Sequence, residues 1–344
     1  MNIILIFRGL AIIFGLGLFV MMHEFGHLIA AKISNIKVTD YFIGFGPKLF
    51  SFKRGETTYG VAAIPLGGYV KMSGNPLTDE DDEDDERGLK NASFIKKVFV
   101  IISGPFLNII IALLILTVVF DFYGEPTNIV DKTIKSKPAH GLIKPNDKIT
   151  KINDKKVNDW ISLSKEIQKY PNEEIELTIV REGETKRINI KTTTQAKKGF
   201  LGIAPKFERI GVIGGAKKSS QFTVFTVKTT NRLIIKALTG KPQELIKNSA
   251  TPVGIVAIGA QFSRTLLDFL FIMGIISLAL GYFNLLPIPP LDGGHLVVFL
   301  VEKIKGSPIR KKLLIAINIA GLALILTFFI SIVFKEITKG FPGV

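Results

Sequence analysis

Long apolar runs alternate with polar stretches along this chain, and four of the runs are long enough to cross a bilayer as helices. A spanning helix needs about 20 apolar residues. The four runs lie within residues 1–33, 94–122, 263–295 and 313–335. Between the second and the third, residues 123–207 have the mixed composition of a soluble domain. The pattern therefore predicts a multi-span α-helical membrane protein, with four transmembrane helices and one soluble α/β domain.

The first apolar run contains the sequence His23-Glu24-Phe25-Gly26-His27, which has the form H-E-x-x-H. On a helix, histidines four residues apart lie on one face, where both imidazoles can bind one zinc ion. Glu24 lies beside them, where its carboxylate can act as a base toward water. Ionisable groups at membrane depth are costly and are therefore functional candidates. The alternative is a chance match with ordinary buried histidines, and the apolar flanks argue against it.

The third apolar run ends in Asn284-Leu285-Leu286-Pro287-Ile288-Pro289-Pro290-Leu291-Asp292. Three prolines in four residues cannot continue a helix, so the backbone there must be covered by protein or line a wet cavity. Asp292 has two interpretations, as the cap of a following helix or as a metal ligand. We favour the ligand, because a catalytic zinc takes three protein ligands and the two histidines supply only two.

Residues 34–93 contain no long apolar run and predict a membrane-associated β-hairpin element. The glycine-rich stretch Tyr41–Pro47 predicts a loop, whereas residues 57–63 predict a strand and residues 64–72 a turn followed by a second strand. The element is either an ordinary cytoplasmic hairpin or a strand edge that pairs with an extended substrate, and we favour the second interpretation. The pairing residues would then be Gly67, Gly68, Tyr69 and Val70.

The second apolar run contains the stretch Gly104-Pro105-Phe106-Leu107-Asn108. Glycine in a spanning helix lets another backbone approach closely. The amide of Asn108 needs a partner in hydrocarbon, which is either a neighbouring helix or a substrate. A contact with another helix is the commoner use of such a residue.

The soluble stretch, residues 123–207, predicts strands around one short helix at Trp160–Lys169. Alternating residues on both sides of Glu182-Gly183 predict a hairpin. This stretch resembles a bacterial PDZ domain of the circularly permuted order. In that family the last segment captures a carboxyl terminus. The resemblance implies that the groove is formed here by Leu201, Gly202 and Ile203.

Composition excludes several classes of function. The chain has no cysteine, which excludes disulfides and thiol chemistry, and its four histidines are His23, His27, His140 and His295. His140 falls on a turn of the soluble domain and is interpreted as solvated. The net charge of +15 comes without a basic and aromatic nucleic-acid motif, so we expect contact with anionic membrane lipid and no nucleic acid.

The distribution of charge predicts the topology. Basic residues concentrate in the segment before the second span and in a predicted basic loop at residues 296–312, which places both on the cytoplasmic side. The soluble domain is then extracytoplasmic, and the HExxH histidines lie nearer the cytosol. Residues 208–262 are amphipathic and predict a helix on the membrane surface. The acidic residues 79–86 predict a solvated loop, and the oligomeric state is not indicated.

Taken together, these motifs resemble those of the site-2 proteases, of the bacterial regulator-of-sigma-E type with a single PDZ domain. The resemblance implies an intramembrane zinc metalloprotease of the bacterial inner membrane, with Zn²⁺ on His23, His27 and Asp292 and with Glu24 as the catalytic base. Asn108 and Asn284 would steady the substrate, and Gly67–Met72 would clamp it. The implied substrates are single-span transmembrane proteins, such as anti-sigma factors and remnant signal peptides.

Two other classes of function use the same residues differently. A zinc transporter would need further ligands along a continuous path, and the sequence offers one ligand set. A scaffold without catalytic activity would tether partners through the PDZ-like domain, but such a tether needs no base at Glu24.

Overall fold

A computed structural model describes residues 3–74 and 85–339 of the chain. The chain forms two compact units, one of Met1–Val119 with Ala216–Val344 and the other of Phe120–Gly215. Most of the predicted acidic loop, residues 79–84, lies outside the described residues. At its end, Asp85 forms an ion pair with Lys37 at 2.8 Å.

The helices follow the apolar pattern closely. Their bounds are α1 (Ile3–Ile33), α2 (Phe94–Tyr123), α3 (Trp160–Ile167), α4 (Gly211–Leu238), α5 (Pro242–Lys247), α6 (Pro252–Phe262), α7 (Leu266–Asn284), α8 (Asp292–Lys305) and α9 (Lys311–Lys339). Among the described residues, four helices are long and apolar enough to cross a membrane, namely α1, α2, α7 and α9. The four-span prediction is confirmed at this level.

Glycines set the closest helix crossings in the first unit. A Cβ atom built on Gly26 of α1 would lie 2.5 Å from the Ser103 carbonyl oxygen of α2. A Cβ on Gly281 of α7 would lie 2.7 Å from the Pro105 carbonyl oxygen. Only glycine permits such approaches, so α2 packs backbone to backbone against both α1 and α7.

The strands of the first unit are β1 (Val38–Arg54) and β2 (Thr57–Met72), which pair antiparallel. The loop predicted at Tyr41–Pro47 is wrong, because that stretch lies within β1. Gly44 and Gly46 have φ values of 87° and 88° there, so the strand passes through irregular pairing instead of ending. Tyr41 is consequently opposite both Val70 and Tyr59.

The basic loop predicted at residues 296–312 is largely helical, since α8 extends from Asp292 to Lys305. The helix has an acidic residue in its first turn, basic residues in its last turn and Gly306 in the left-handed conformation just after it, at φ 74°. These are the ordinary signals of a helix start and stop. The prediction of a loop there is wrong, because the charges of Lys303 and Lys305 belong to the last turn of this helix.

The amphipathic helix α4 contacts spanning helices along one side. The hydroxyl of Ser219 donates to the Leu113 carbonyl of α2 at 3.1 Å. Further along, the ring of Phe222 lies 5.7 Å from that of Phe271 in α7. Other positions of the helix carry exposed apolar residues such as Phe225 and Leu238. Its placement on the membrane surface stays a prediction.

The second unit is an α/β domain built around short antiparallel strands. They are β3 (Glu125–Thr133), β4 (Lys148–Ile152), β5 (Lys155–Lys156), β6 (Glu174–Arg181), β7 (Glu184–Lys191), β8 (Thr193–Gln195), β9 (Lys198–Phe200) and β10 (Ile203–Glu208). The main sheet has the order β10-β3-β4-β6-β7, and α3 packs on its core through Leu163 and Ile167. The predicted hairpin at Glu182-Gly183 is confirmed by the β6–β7 pairing. Strand β10 lies at one edge of this sheet, and the whole of α3 lies within the unit. We call it the PDZ-like unit after the predicted resemblance.

Candidate active site

Three side chains from the two ends of the chain meet in the first unit. Nε2 of His23 lies 2.9 Å from Oδ2 of Asp292, and Nε2 of His27 lies 3.4 Å from the same oxygen. The two Nε2 atoms are 3.2 Å apart. Both histidines are buried, and the aspartate is nearly so. The structure thus brings together the three residues that the sequence predicted as ligands.

A hydrogen bond fixes the orientation of His27. Its Nδ1 lies 2.8 Å from the carbonyl oxygen of Val100 in α2. Because a carbonyl only accepts, Nδ1 carries the proton, and in the neutral imidazole Nε2 then presents a lone pair toward Asp292. Gly104 lies directly against the ring, since a Cβ there would be 2.4 Å from Nε2. The helix α2 therefore holds the imidazole from behind.

The donor set fits a zinc ion. Ligand atoms about 2.0 Å from a tetrahedral zinc lie about 3.3 Å from one another, which matches the three observed separations. Oδ2 of Asp292 has no hydrogen-bond donor among the described residues. Lone pairs converging at this distance repel one another unless a cation lies between them. The three side chains could hold one metal ion, and three protein ligands are the number that a catalytic zinc takes.

The loop between α7 and α8 places Asp292 through close backbone packing. A Cβ on Gly293 would lie 2.2 Å from the Leu285 carbonyl oxygen, and one on Gly294 would lie 2.2 Å from the Pro289 nitrogen. The loop is thus folded tightly on the start of α8. Asp292 is the first residue of that helix, and the N-cap position belongs to Leu291 without a side-chain cap hydrogen bond, so the interpretation of Asp292 as the cap is wrong. Its role as a metal ligand stays a prediction.

Glu24 is half-buried next to the histidines, and β2 passes close to it. A Cβ on Gly68 would lie 3.7 Å from Cγ of Glu24. The backbone N–H of Val70 is near enough to interact with the Glu24 carboxylate. The strand that the sequence singled out therefore lies beside the candidate base.

Tyr41 connects the β-element to the turn of α1 that carries Glu24. Its hydroxyl donates to the Met21 carbonyl at 3.4 Å, and its ring lies 6.4 Å from that of Phe25. Burial raises the pKa of the Tyr41 phenol to about 12, and the negative charge of Glu24 acts in the same direction. Tyr41 therefore keeps its proton and remains a donor.

The two asparagines differ in their surroundings. Asn108 is fully buried, and neither atom of its amide has a hydrogen-bond partner among the described residues. Its backbone carbonyl accepts from the Ser277 hydroxyl at 2.8 Å, so α7 contacts the main chain and leaves the amide unsatisfied. Asn284 instead donates its amide to the Leu280 carbonyl of its own helix at 2.9 Å.

Comparison with known proteins now identifies the family. The model of Peptidase family M50 matches residues 11–328. The chain belongs to peptidase family M50. This M50 protein is accordingly a zinc metalloprotease, and its apolar helices make it an integral protein of the inner membrane.

Relatives of this M50 protein align along nearly their whole length. A relative from Clostridium acetobutylicum is 33% identical over 330 residues, which cover 94% of this chain and 96% of the relative. The zinc metalloprotease RasP of Shouchella clausii is 27% identical over 408 residues, with 94% and 96% covered. That of Geobacillus kaustophilus is 24% identical at the same coverage. Among solved structures, the PDZ domain of an SdrC-like protein from Listeria innocua covers 25% of this chain and 99% of its own, at 17% identity and a TM-score of 0.22.

The predicted PDZ groove residues lie in the loop that enters β10. The carbonyl of Leu201 accepts from the Ala139 N–H, and that of Gly202 accepts from the Ile134 N–H. In a trans peptide the N–H points opposite to the carbonyl, so the N–H groups of Gly202 and Ile203 point away from the 134–139 turn. Gly202 has φ 77°, as successive N–H groups in an anion-binding turn require.

Sequence reasoning missed several residues that shape the M50 site. Val100 orients His27 through a backbone carbonyl, which has no sequence signature. Tyr41 was assigned to a loop. Gly26, inside the H-E-x-x-H stretch, carried a usable signal, because a glycine in a spanning helix marks a close crossing.

Proposed function

We propose that this M50 metalloprotease hydrolyses peptide bonds within the transmembrane segments of single-span membrane proteins, in regulated intramembrane proteolysis. The observation that carries the proposal is the convergence of His23, His27 and Asp292 beside Glu24, in a chain whose long helices are apolar enough to span a membrane. Such a site serves a peptide bond that is itself at membrane depth. Anti-sigma factors and remnant signal peptides are substrates of this kind.

In the proposed mechanism His23, His27 and Asp292 hold the zinc ion. When bound, zinc supplies Lewis acidity, which activates water and polarises a carbonyl. Glu24 takes the proton of the attacking water and then delivers it to the leaving amine. The unsatisfied amide of Asn108 is available to a substrate carbonyl, and Asn284 assists in positioning the substrate backbone.

Substrate unwinding is the main energetic obstacle, because a spanning helix satisfies its amides internally. The edge of β2 at Gly67, Gly68, Tyr69 and Val70 would replace those hydrogen bonds by strand addition. Val70 faces Tyr41 across the ladder, yet its N–H is directed at Glu24. The N–H of Gly68, two residues earlier in the strand, points to the same side as that of Val70. An added substrate strand would therefore lie next to the base.

The PDZ-like unit would admit or tether substrates that an earlier cut has shortened. The outward N–H groups of Gly202 and Ile203, together with the loop at Leu201, suit a terminal carboxylate. The charge pattern favours an extracytoplasmic position for this unit and a cytosol-facing active site. Membrane lipid is then a constant neighbour of the chain.

The decisive experiment replaces the base. The purified full-length protein is incubated in detergent with a single-span membrane protein, and the products are mapped by mass spectrometry. We expect Glu24→Gln to slow cleavage at least about 100-fold while bound zinc is retained, because only the proton carrier is lost. Glu56→Gln, at the exposed tip between β1 and β2, is the matched control. Cleavage by Glu24→Gln at the wild-type rate, or cuts confined to soluble segments, would refute the proposal.

A further inference from the structure

A cleft of about 370 Å³ opens on the PDZ-like unit, at the strands β4 and β5. It is lined chiefly by polar and basic side chains, Asn128, Lys148, Thr150, Lys151, Lys156 and Asn158. No carboxylate is among the described residues that line it. The cleft is separate from the loop at residues 201–203 and has no part in the proposed peptide capture.

The three lysines of the cleft lack acidic partners within the described part of the chain. Their neighbour Lys155, by contrast, pairs with Glu166 at 2.8 Å. Acidic residues are thus available on this unit, but the cleft lysines are not neutralised by them. A concave surface with three positive charges concentrates anions.

Two of these lysines are in direct opposition. Lys151 of β4 and Lys156 of β5 are cross-strand partners, and like charges directly opposite each other destabilise a ladder. An anion between the two ammonium groups removes that repulsion. The pairing of Lys151 with Lys156 lowers the stability of the ladder, and an anion bound between the two side chains would offset this cost.

The floor of the cleft is held rigid by a buried amide. The side chain of Asn128 is only 4% exposed, and its Nδ2 donates to the Ile149 carbonyl at 2.7 Å and to the Val157 carbonyl at 3.2 Å. These bonds connect β4 to the segment after β5. The lysine backbones are thereby fixed before any ligand arrives, which lowers the entropy cost of binding.

We propose that this cleft binds a phosphate group, and specifically the phosphate of an anionic lipid headgroup. Lysine is a common phosphate ligand as a point charge, and Asn158 adds amide donors at the rim. Lipid is the favoured source because Gly124 alone separates the end of α2 from the start of β3. The unit is thus tethered directly to a spanning helix, where headgroup phosphates are concentrated.

The test uses the full-length protein in nanodiscs and its only tryptophan, Trp160, two residues beyond Asn158 in the chain. Energy transfer from Trp160 to dansyl-labelled headgroups is compared between discs of phosphatidylcholine and discs that also contain phosphatidylglycerol. We expect greater transfer with phosphatidylglycerol and its loss in 0.5 M NaCl. The triple variant Lys148→Gln, Lys151→Gln, Lys156→Gln should lose the increase, with binding roughly fivefold weaker per lysine removed.

The matched control carries the same change of charge on exposed lysines of this unit outside the cleft, Lys132→Gln, Lys191→Gln and Lys198→Gln. It should behave as the wild type does. A second arm titrates inorganic phosphate into phosphatidylcholine discs and follows Trp160 emission. A response there that depends on the cleft lysines, without any effect of phosphatidylglycerol, assigns the site to free phosphate. Equal behaviour of the two triple variants overturns the proposal.

Discussion

At the scale of single residues, the position of His27 depends on a glycine in the neighbouring helix. Gly104 lies against the imidazole, so Gly104→Ala would drive a methyl group to 2.4 Å from Nε2. We expect the ring to be displaced and zinc affinity to fall about 10- to 100-fold, as when an orienting partner is lost. Zinc content after dialysis against a graded chelator series measures this change.

The control for that substitution is Gly9→Ala, because a Cβ at Gly9 would meet only Val256 Cγ1, at 3.4 Å. Its zinc content should equal that of the wild type. If Gly104→Ala retained zinc equally well, the described packing of α2 behind His27 would be refuted.

The residue scale also provides a pH prediction in the PDZ-like unit. Burial raises the pKa of Asp147, but hydrogen bonds from Arg181 and from the Lys144 N–H outweigh burial and hold the pKa below its usual value. A depressed folded-state pKa stabilises the unit above the unfolded value of about 3.9, and this stability is lost as pH falls through the folded-state pKa. Unfolding followed by Trp160 fluorescence should therefore show a lower free energy of unfolding for this unit below about pH 4.

Asp147→Asn should reduce this pH dependence and lower the free energy of unfolding at pH 7 by about 3 kcal/mol, because Arg181 loses its buried partner. Denaturant titrations at pH 7 and pH 3 compare the two proteins. A wild-type slope of stability against pH in the variant would count against the ion pair as its source.

The sequence was sufficient to predict which side chains meet where the chemistry of metal binding restricts their types and spacing. His23 and His27 must share a helix face, and Asp292 must complete their ligand set, so their convergence could be predicted across more than two hundred intervening residues. The role of Val100 could not, since any residue has a carbonyl. Direct contact of Gly104 with an imidazole depends on the angle of a helix crossing, which the sequence does not encode locally.

At the scale of elements, the edge of β2 offers a test of strand addition. Val70→Pro removes the N–H directed at Glu24 and spares the ladder to β1, because an edge proline loses only its outward donor. We expect the KM for a single-span substrate to rise several-fold, with bound zinc unchanged. Val70→Ala keeps the N–H and should leave KM near the wild-type value. An unchanged KM in the proline variant would show that substrate does not pair at this edge.

The same scale shows where hydropathy and charge patterns mislead. The glycines of Tyr41–Pro47 resemble those of a loop, yet Gly44 and Gly46 let β1 continue through irregular pairing with β2. The lysines near residue 303 indicated a loop, yet they are the basic last turn of α8. In both cases tertiary contacts decided between two conformations that the local sequence allows.

At the scale of the whole molecule, metal removal should affect the two units unequally. The ligands belong to the first unit, so binding of zinc stabilises that unit and not the one from Phe120 to Gly215. At free zinc a thousandfold above Kd the gain is about 4 kcal/mol. Phenanthroline should abolish cleavage and expose α1 and α2 to limited trypsin digestion, while the unfolding midpoint seen by Trp160 stays constant. Zinc should restore both properties, and a chelator-resistant activity would exclude the metal mechanism.

The pairing of Glu125 with Glu208, next to the ion pair of Asp121 with Arg209, brings the two ends of the PDZ-like unit together. Entry to and exit from the PDZ-like unit lie about 5 Å apart at these paired residues, so a short linker can replace the unit. Excision of residues 125–208 and closure with a short glycine linker should yield a chain that still reaches the membrane and loads metal. Removal of the unit would thus leave all three candidate metal ligands in the remaining chain, and a substrate still cut by that chain would be one that needs no capture by the PDZ-like unit.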